Sequence, residues 1–136
     1  MNIFPKYFLL SFFCLMVLSG ETSAKVSPSF DCRKATTEVE KLICSDDELA
    51  KLDVEMSKSY HTFMKTLDEE HYRSKLKKKQ REWLKYITKA PCFSGTDKIN
   101  CLKNIYVFRT QQLTNWTERK NWDFFINDHF FERDYS

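Results

Sequence analysis

The sequence predicts an all-α fold, a small disulfide-braced bundle or hairpin of about four helices. Three observations predict it. Apolar residues recur at steps of three and four along most of the chain. Only two glycines occur in 136 residues, and no stretch alternates with period two for long, which argues against a sheet. Two S/T-x-x-E signatures of helix starts follow one another inside Pro28–Asp53. The length suits one ordinary domain.

The chain opens on what reads as a secretory leader. Lys6 supplies a weak positive start, Tyr7–Leu18 is a 12-residue apolar run, and Ser19–Ala24 is small and polar. Cleavage is expected after Ala24, and the run is short for a membrane anchor. Cys14 lies behind Phe12 and Phe13, a poor context for lipidation. Residues 1–24 therefore read as a signal peptide, 25–113 as a helical domain and 114–136 as an aromatic-rich tail. The expected destination is the periplasm or the exterior, with no transmembrane span once the leader is gone. Leader removal takes one base and one acid, so the formal charge stays at +3.

The first helical corner is dense with signals. The Thr37 hydroxyl can accept from the Glu40 amide while the Glu40 carboxylate reaches back to the Thr37 amide. Ser45 and Glu48 repeat the pattern, with Asp46 and Asp47 suited to the positive end of a second helix. Cys32 and Cys44 flank the short first helix. With Cys92 and Cys101 they make an even set in an exported chain, the sign of a disulfide framework. Of the three pairings available, the local ones are expected, Cys32–Cys44 and Cys92–Cys101, because each braces a helix corner. In the chain-entropy model each is worth about 3 kcal/mol. Their spacings lack the tight pairs of a zinc site, so no metal is expected.

A second helix carries Leu49, Leu52, Met56, Tyr60, Phe63 and Leu67 on one face. A break is expected at Leu67–Glu70, with Asp68 capping a third helix that carries Tyr72, Leu76, Trp83, Leu84 and Ile87. Pro91 would end it at Ala90. After a turn around Gly95, a fourth helix is expected from about Asp97, through Ile99, Leu102, Ile105, Tyr106, Leu113 and Trp116.

Catalytic constellations are not found. His61, His71 and His129 stand singly, and no GxSxG, glycine-rich phosphate loop or HExxH occurs. The chain reads as a non-catalytic binding protein without cofactor. Two charged surfaces are candidate partner-binding sites. One is acidic, Asp46, Asp47 and Glu48 with Asp68, Glu69 and Glu70, although each set also suits a helix start. The other is Arg73–Arg81, with six bases in nine residues, including Arg73, Lys77, Lys78 and Lys79. An anionic envelope polymer or lipid surface would suit that stretch, and export disfavours nucleic acid. Trp116, Trp122, Phe124, Phe125, Phe130, Phe131 and Tyr135 crowd the tail, either packed back on the bundle or held as partner anchors.

Several motifs together resemble a known family. FDCRKATTEVEKLICSDDELAKLD, then QREWL at Gln80–Leu84, then the Cys92 and Cys101 pair running into CLKNIYVFRTQQL, are similar to the N-terminal domain of the LprI-type lysozyme inhibitors. The likeness spans about Pro28–Leu113. It implies a small, exported, helical, disulfide-bonded protein whose partner is lysozyme or another cell-wall hydrolase. Trp83, Leu49 and Leu52 look like core, and Asp31 and Asp53 like local hydrogen-bonding groups near the corner. Animal lysozymes are basic and this chain is net +3, so long-range steering opposes the encounter and a local acidic surface is needed.

Overall fold

A computed structural model of the chain describes residues 24–90 and 94–119. Residues 1–23 of the expected leader, Pro91, Cys92 and the tail from residue 120 lie outside the described residues. Among the described residues all regular structure is helical: a 3-10 turn at Cys32–Lys34, then α1 (Glu38–Ser45), α2 (Asp47–Thr66), α3 (Glu70–Ile87) and α4 (Lys98–Arg119).

Local chemistry sets the boundaries. Asp31 caps the 3-10 turn by accepting from the Arg33 amide at 3.0 Å. At the start of α1 the capping box is complete, with Glu40 Oε2 accepting from the Thr37 amide at 2.8 Å and Thr37 Oγ1 accepting from the Glu40 amide at 3.2 Å. The second start differs from expectation by one residue. Ser45 still belongs to α1 and its hydroxyl donates to the Leu42 carbonyl, so Asp46 caps α2, accepting from the Leu49 amide at 2.8 Å. An aspartate placed there also meets the positive end of the new helix.

The break between α2 and α3 falls where expected but for a different reason. Asp68 caps nothing; Glu69 is the residue at the start of α3 and makes no side-chain cap bond. The turn is fixed instead by Leu67, extended at φ −89° and ψ 110° and fully buried. Core burial of a leucine is worth roughly 1.5–3 kcal/mol, more than a cap contributes. At its far end α3 stops at Ile87, three residues before Ala90, and a turn closed by the Lys89 amide on the Tyr86 carbonyl leads out. Asp97 opens α4 by accepting from the Asn100 amide at 3.2 Å, and α4 continues through Leu113 to Arg119.

Side-chain pairs give the topology. Lys103 meets Asp46 and Glu48 at one end of α2, and Trp116 meets Phe63 near the other, with ring centroids 5.8 Å apart, so α2 and α4 run parallel. On α3, Trp83 stacks edge-on to Tyr106 at 5.1 Å and Gln80 reaches Met56, so α3 runs back antiparallel to both. The result is an up-down-up bundle. Its core includes Leu49, Phe63, Leu76, Trp83, Leu102 and Leu113, all essentially without exposure. Helix α1 closes one end, tied to the 3-10 turn by the Cys32–Cys44 disulfide and to α4 by the Glu38–Lys98 ion pair at 2.6 Å. Cys101 is also disulfide-bonded; its expected partner, Cys92, lies outside the described residues.

Candidate functional site

The charged candidates do not gather into one surface. Asp46–Glu48 and Asp68–Glu70 sit at opposite ends of the 20-residue α2, roughly 30 Å apart at 1.5 Å per residue. The first set is largely spoken for. Lys103 Nζ lies 3.3 Å from Asp46 and 2.6 Å from Glu48, while Asp47 stays exposed in the first turn of α2. The Leu49 amide, and then Lys103, hold the Asp46 carboxyl below the usual carboxylate range. The hydrogen bond that Lys103 donates to Glu48 in turn raises the Lys103 pKa. In the second set Asp68 and Glu69 are exposed, and Glu70 pairs with Arg73 at 3.8 Å and Lys77 at 3.5 Å. On the basic stretch of α3, Lys78 pairs with Glu82 at 3.9 Å and Lys79 is half-buried. The basic run is thus laced with acids of its own helix, as exposed helices often are.

A more enclosed and more apolar concave feature lies elsewhere. A cleft of about 390 Å³ opens between α1 and α3, floored by α2 and by Tyr106 of α4. Ile43, Met56 and Ile87 line its depth, Tyr60 and Leu84 its walls. Across one edge passes the segment before the 3-10 turn. Its Ser29 amide donates to Asp53 Oδ2 at 2.7 Å, and Phe30 packs partly buried against the core. Asp53 is itself buried, and the Tyr106 hydroxyl is its other hydrogen-bond partner. Burial, then the Asp53 charge, push the Tyr106 phenol far above its ordinary value, so it remains a neutral hydrogen-bonding group. Tyr60 is also raised by burial, opposed by the Arg109 and Arg81 charges. The expectation that Asp31 and Asp53 serve as local hydrogen-bonding groups holds, and Asp53 in addition contributes to the cleft.

Beneath the cleft lies an arrangement that sequence reasoning missed. Arg109 has no exposure, and its guanidinium sits between two indoles, 5.7 Å from the Trp83 ring and 5.3 Å from that of Trp116. Its Nε and Nη2 both donate to Gln80 Oε1, at 3.2 and 2.8 Å, and its Nη1 donates to Gln112 Oε1. The Gln80 amide nitrogen reaches Met56 Sδ at 3.4 Å, so one network joins α2, α3 and α4. A signal was present. On α4 the apolar stripe jumps from Tyr106 to Leu113, and position 109 is the one that would complete it. The Gln and Trp of QREWL and the Arg and second Gln of VFRTQQL meet in this network, which gives those two stretches a physical reason to occur together.

The residues described define a class: a disulfide-braced helical scaffold whose cleft and charged faces are suited to binding. Among them no group of three or more histidine, cysteine, aspartate or glutamate side chains could hold a metal ion, and no helix is long and apolar enough to cross a membrane. The chain belongs to the lysozyme inhibitor LprI family, whose sequence model matches residues 32–113, from the first disulfide cysteine through most of α4. Proteins named Lipoprotein LprI from Mycobacterium bovis (strain ATCC BAA-935 / AF2122/97) and Mycobacterium tuberculosis (strains CDC 1551 / Oshkosh and ATCC 25618 / H37Rv) are each 32% identical to it over 96 residues. That region is 70% of this chain and 45% of each relative, so the chain spans about half the length of the curated relatives it matches. No solved structure matches it significantly.

Proposed function

We propose that this protein is an exported, non-catalytic inhibitor that binds a cell-wall hydrolase of the lysozyme type and occludes its substrate cleft. One observation carries the reading: the family match runs over residues 32–113 and so takes in most of the braced bundle rather than one short motif. Export is supported by the apolar leader before residue 25, by the Cys32–Cys44 bridge, and by the lipoprotein names of the mycobacterial relatives. Such inhibition needs only stable occupancy of the hydrolase cleft by a rigid protein surface, which a preorganised bundle supplies at low entropic cost.

The test is the clearing of a turbid cell-wall suspension by lysozyme, with and without the oxidised mature protein. Slowing that grows with the molar ratio is expected. Unchanged clearing with the protein in excess at about 10 μM, where a complex with a Kd of about 1 μM should be well populated, would contradict the reading.

A further inference from the structure

The cleft between α1 and α3 differs in charge from the protein that contains it. The chain is net +3, yet the described residues lining the cleft include two carboxylates, Glu40 and Asp53, and no lysine, arginine or histidine. Asp53 is buried at the cleft floor beside Tyr106, and Glu40 lies on the α1 side, its carboxylate on the Thr36 and Thr37 amides at 2.8 Å. The Thr37 and Thr36 amides hold the Glu40 carboxyl below the usual range. The rest of the lining is apolar or aromatic: Ile43, Met56, Ile87 and Leu84, with the ring of Tyr60. An aliphatic channel that ends in negative charge matches one kind of side chain. Lysine and arginine lay an apolar stem along such surfaces and deliver a cation at the tip, and an adjacent aromatic face adds to the attraction.

We propose that this cleft receives a lysine or arginine side chain of the partner protein, with Leu84, 45% exposed at the mouth, forming the apolar rim of the contact. The proposal rests on the inhibitor reading above and deepens it. It answers the electrostatic difficulty of a basic protein binding a basic lysozyme, because the contact falls where local charge is opposite to the net charge. At about 390 Å³ the cleft fits this occupant, being at the lower end of the roughly 300–1,000 Å³ range of ligand sites.

Two measurements test it on the full oxidised protein. In the first, amide NMR shifts are followed during titration with a lysine tripeptide, and a glutamate tripeptide serves as control. Shifts at Thr37, Ser57 and Thr88 with the lysine probe alone are expected, and their absence overturns the proposal whatever lysozyme does. In the second, inhibition of a basic animal lysozyme is compared for wild type, Leu84→Lys, Glu40→Gln and Val107→Lys. Glutamine keeps the capping box, and position 84 is exposed, so both cleft variants should fold. Leu84→Lys should weaken inhibition by at least about tenfold, since a like charge at a contact costs several kcal/mol. Glu40→Gln should weaken it less, and Val107→Lys, the same added charge on the exposed side of α4, should not. Wild-type potency in both cleft variants overturns the proposal and leaves the inhibitor reading standing. No inhibition by wild type, with the lysine-dependent shifts present, overturns the inhibitor reading for that lysozyme and supports the cleft assignment.

Discussion

Arg109 is the residue on which the packing of three helices converges. Its Nε and Nη2 donate to Gln80 and its Nη1 to Gln112, and the guanidinium lies between Trp83 and Trp116. Removing it leaves two amide oxygens short of donors and a void between two indoles. Arg109→Ala should therefore cost about 3 kcal/mol in urea unfolding, within the range for broken buried networks. Arg109→Lys should recover little, because a point charge cannot bridge both glutamines. A loss under about 0.5 kcal/mol, typical of an exposed site, would refute this role. A second residue-scale prediction concerns pH. The Glu40 and Asp46 pKa values are lower in the folded chain, held down chiefly by the amides of Thr37 and Leu49. A carboxyl with a depressed folded pKa binds fewer protons folded than unfolded. Its contribution is complete above the unfolded value, about 4, and is lost as pH falls through the folded value. The urea midpoint should hold steady from neutrality to about pH 5, then drop. Glu40→Gln and Asp46→Asn should each shallow that drop, and an unchanged acid limb would sink the assignment.

Among the elements, the helices were legible and their junctions were less so. The steps of three and four along α2, and the Thr37–Glu40 box, are local signals that tertiary packing did not override. The cap of α2 moved from Ser45 to Asp46 because both side chains can cap, and sequence spacing alone cannot choose between neighbours. The turn after α2 was placed correctly but credited to Asp68, when the determinant is the burial of Leu67, a non-local property. The candidate site was less legible still. The densest charges, Asp46–Glu48, Asp68–Glu70 and Arg73–Arg81, stood out by composition, whereas the cleft is built from scattered residues contributed by four helices and the segment before them. Glu40 was visible only as a capping residue and Asp53 only as a local acceptor. The Cys32–Cys44 bridge, closing a separation of 12 residues, ties the 3-10 turn to α1. Replacing both cysteines with serine should cost about 3 kcal/mol. It should also raise amide exchange across Ser29–Ile43, the edge of the cleft, relative to α2 and α4. Uniform exchange changes over the whole bundle would argue that the bridge braces no particular corner.

At the scale of the whole molecule, the chain carries a net charge of +3, while the cleft beside α1 is lined by two carboxylates and by no lysine, arginine or histidine. Encounter with a basic lysozyme is then opposed at long range and favoured at contact. Added salt screens the repulsion first, because the Debye length falls from about 30 Å at 0.01 M to about 8 Å at 0.15 M. The association rate should rise over that range, the reverse of what oppositely charged partners show; a falling rate would mean that an exposed acidic surface steers the encounter. The central claim is that this scaffold grips a lysozyme-type hydrolase, and calorimetric titration of a basic lysozyme into the oxidised protein tests it most directly. The account predicts saturable one-to-one binding that weakens when the disulfides are reduced. Heats no larger than dilution, up to millimolar lysozyme, would contradict it.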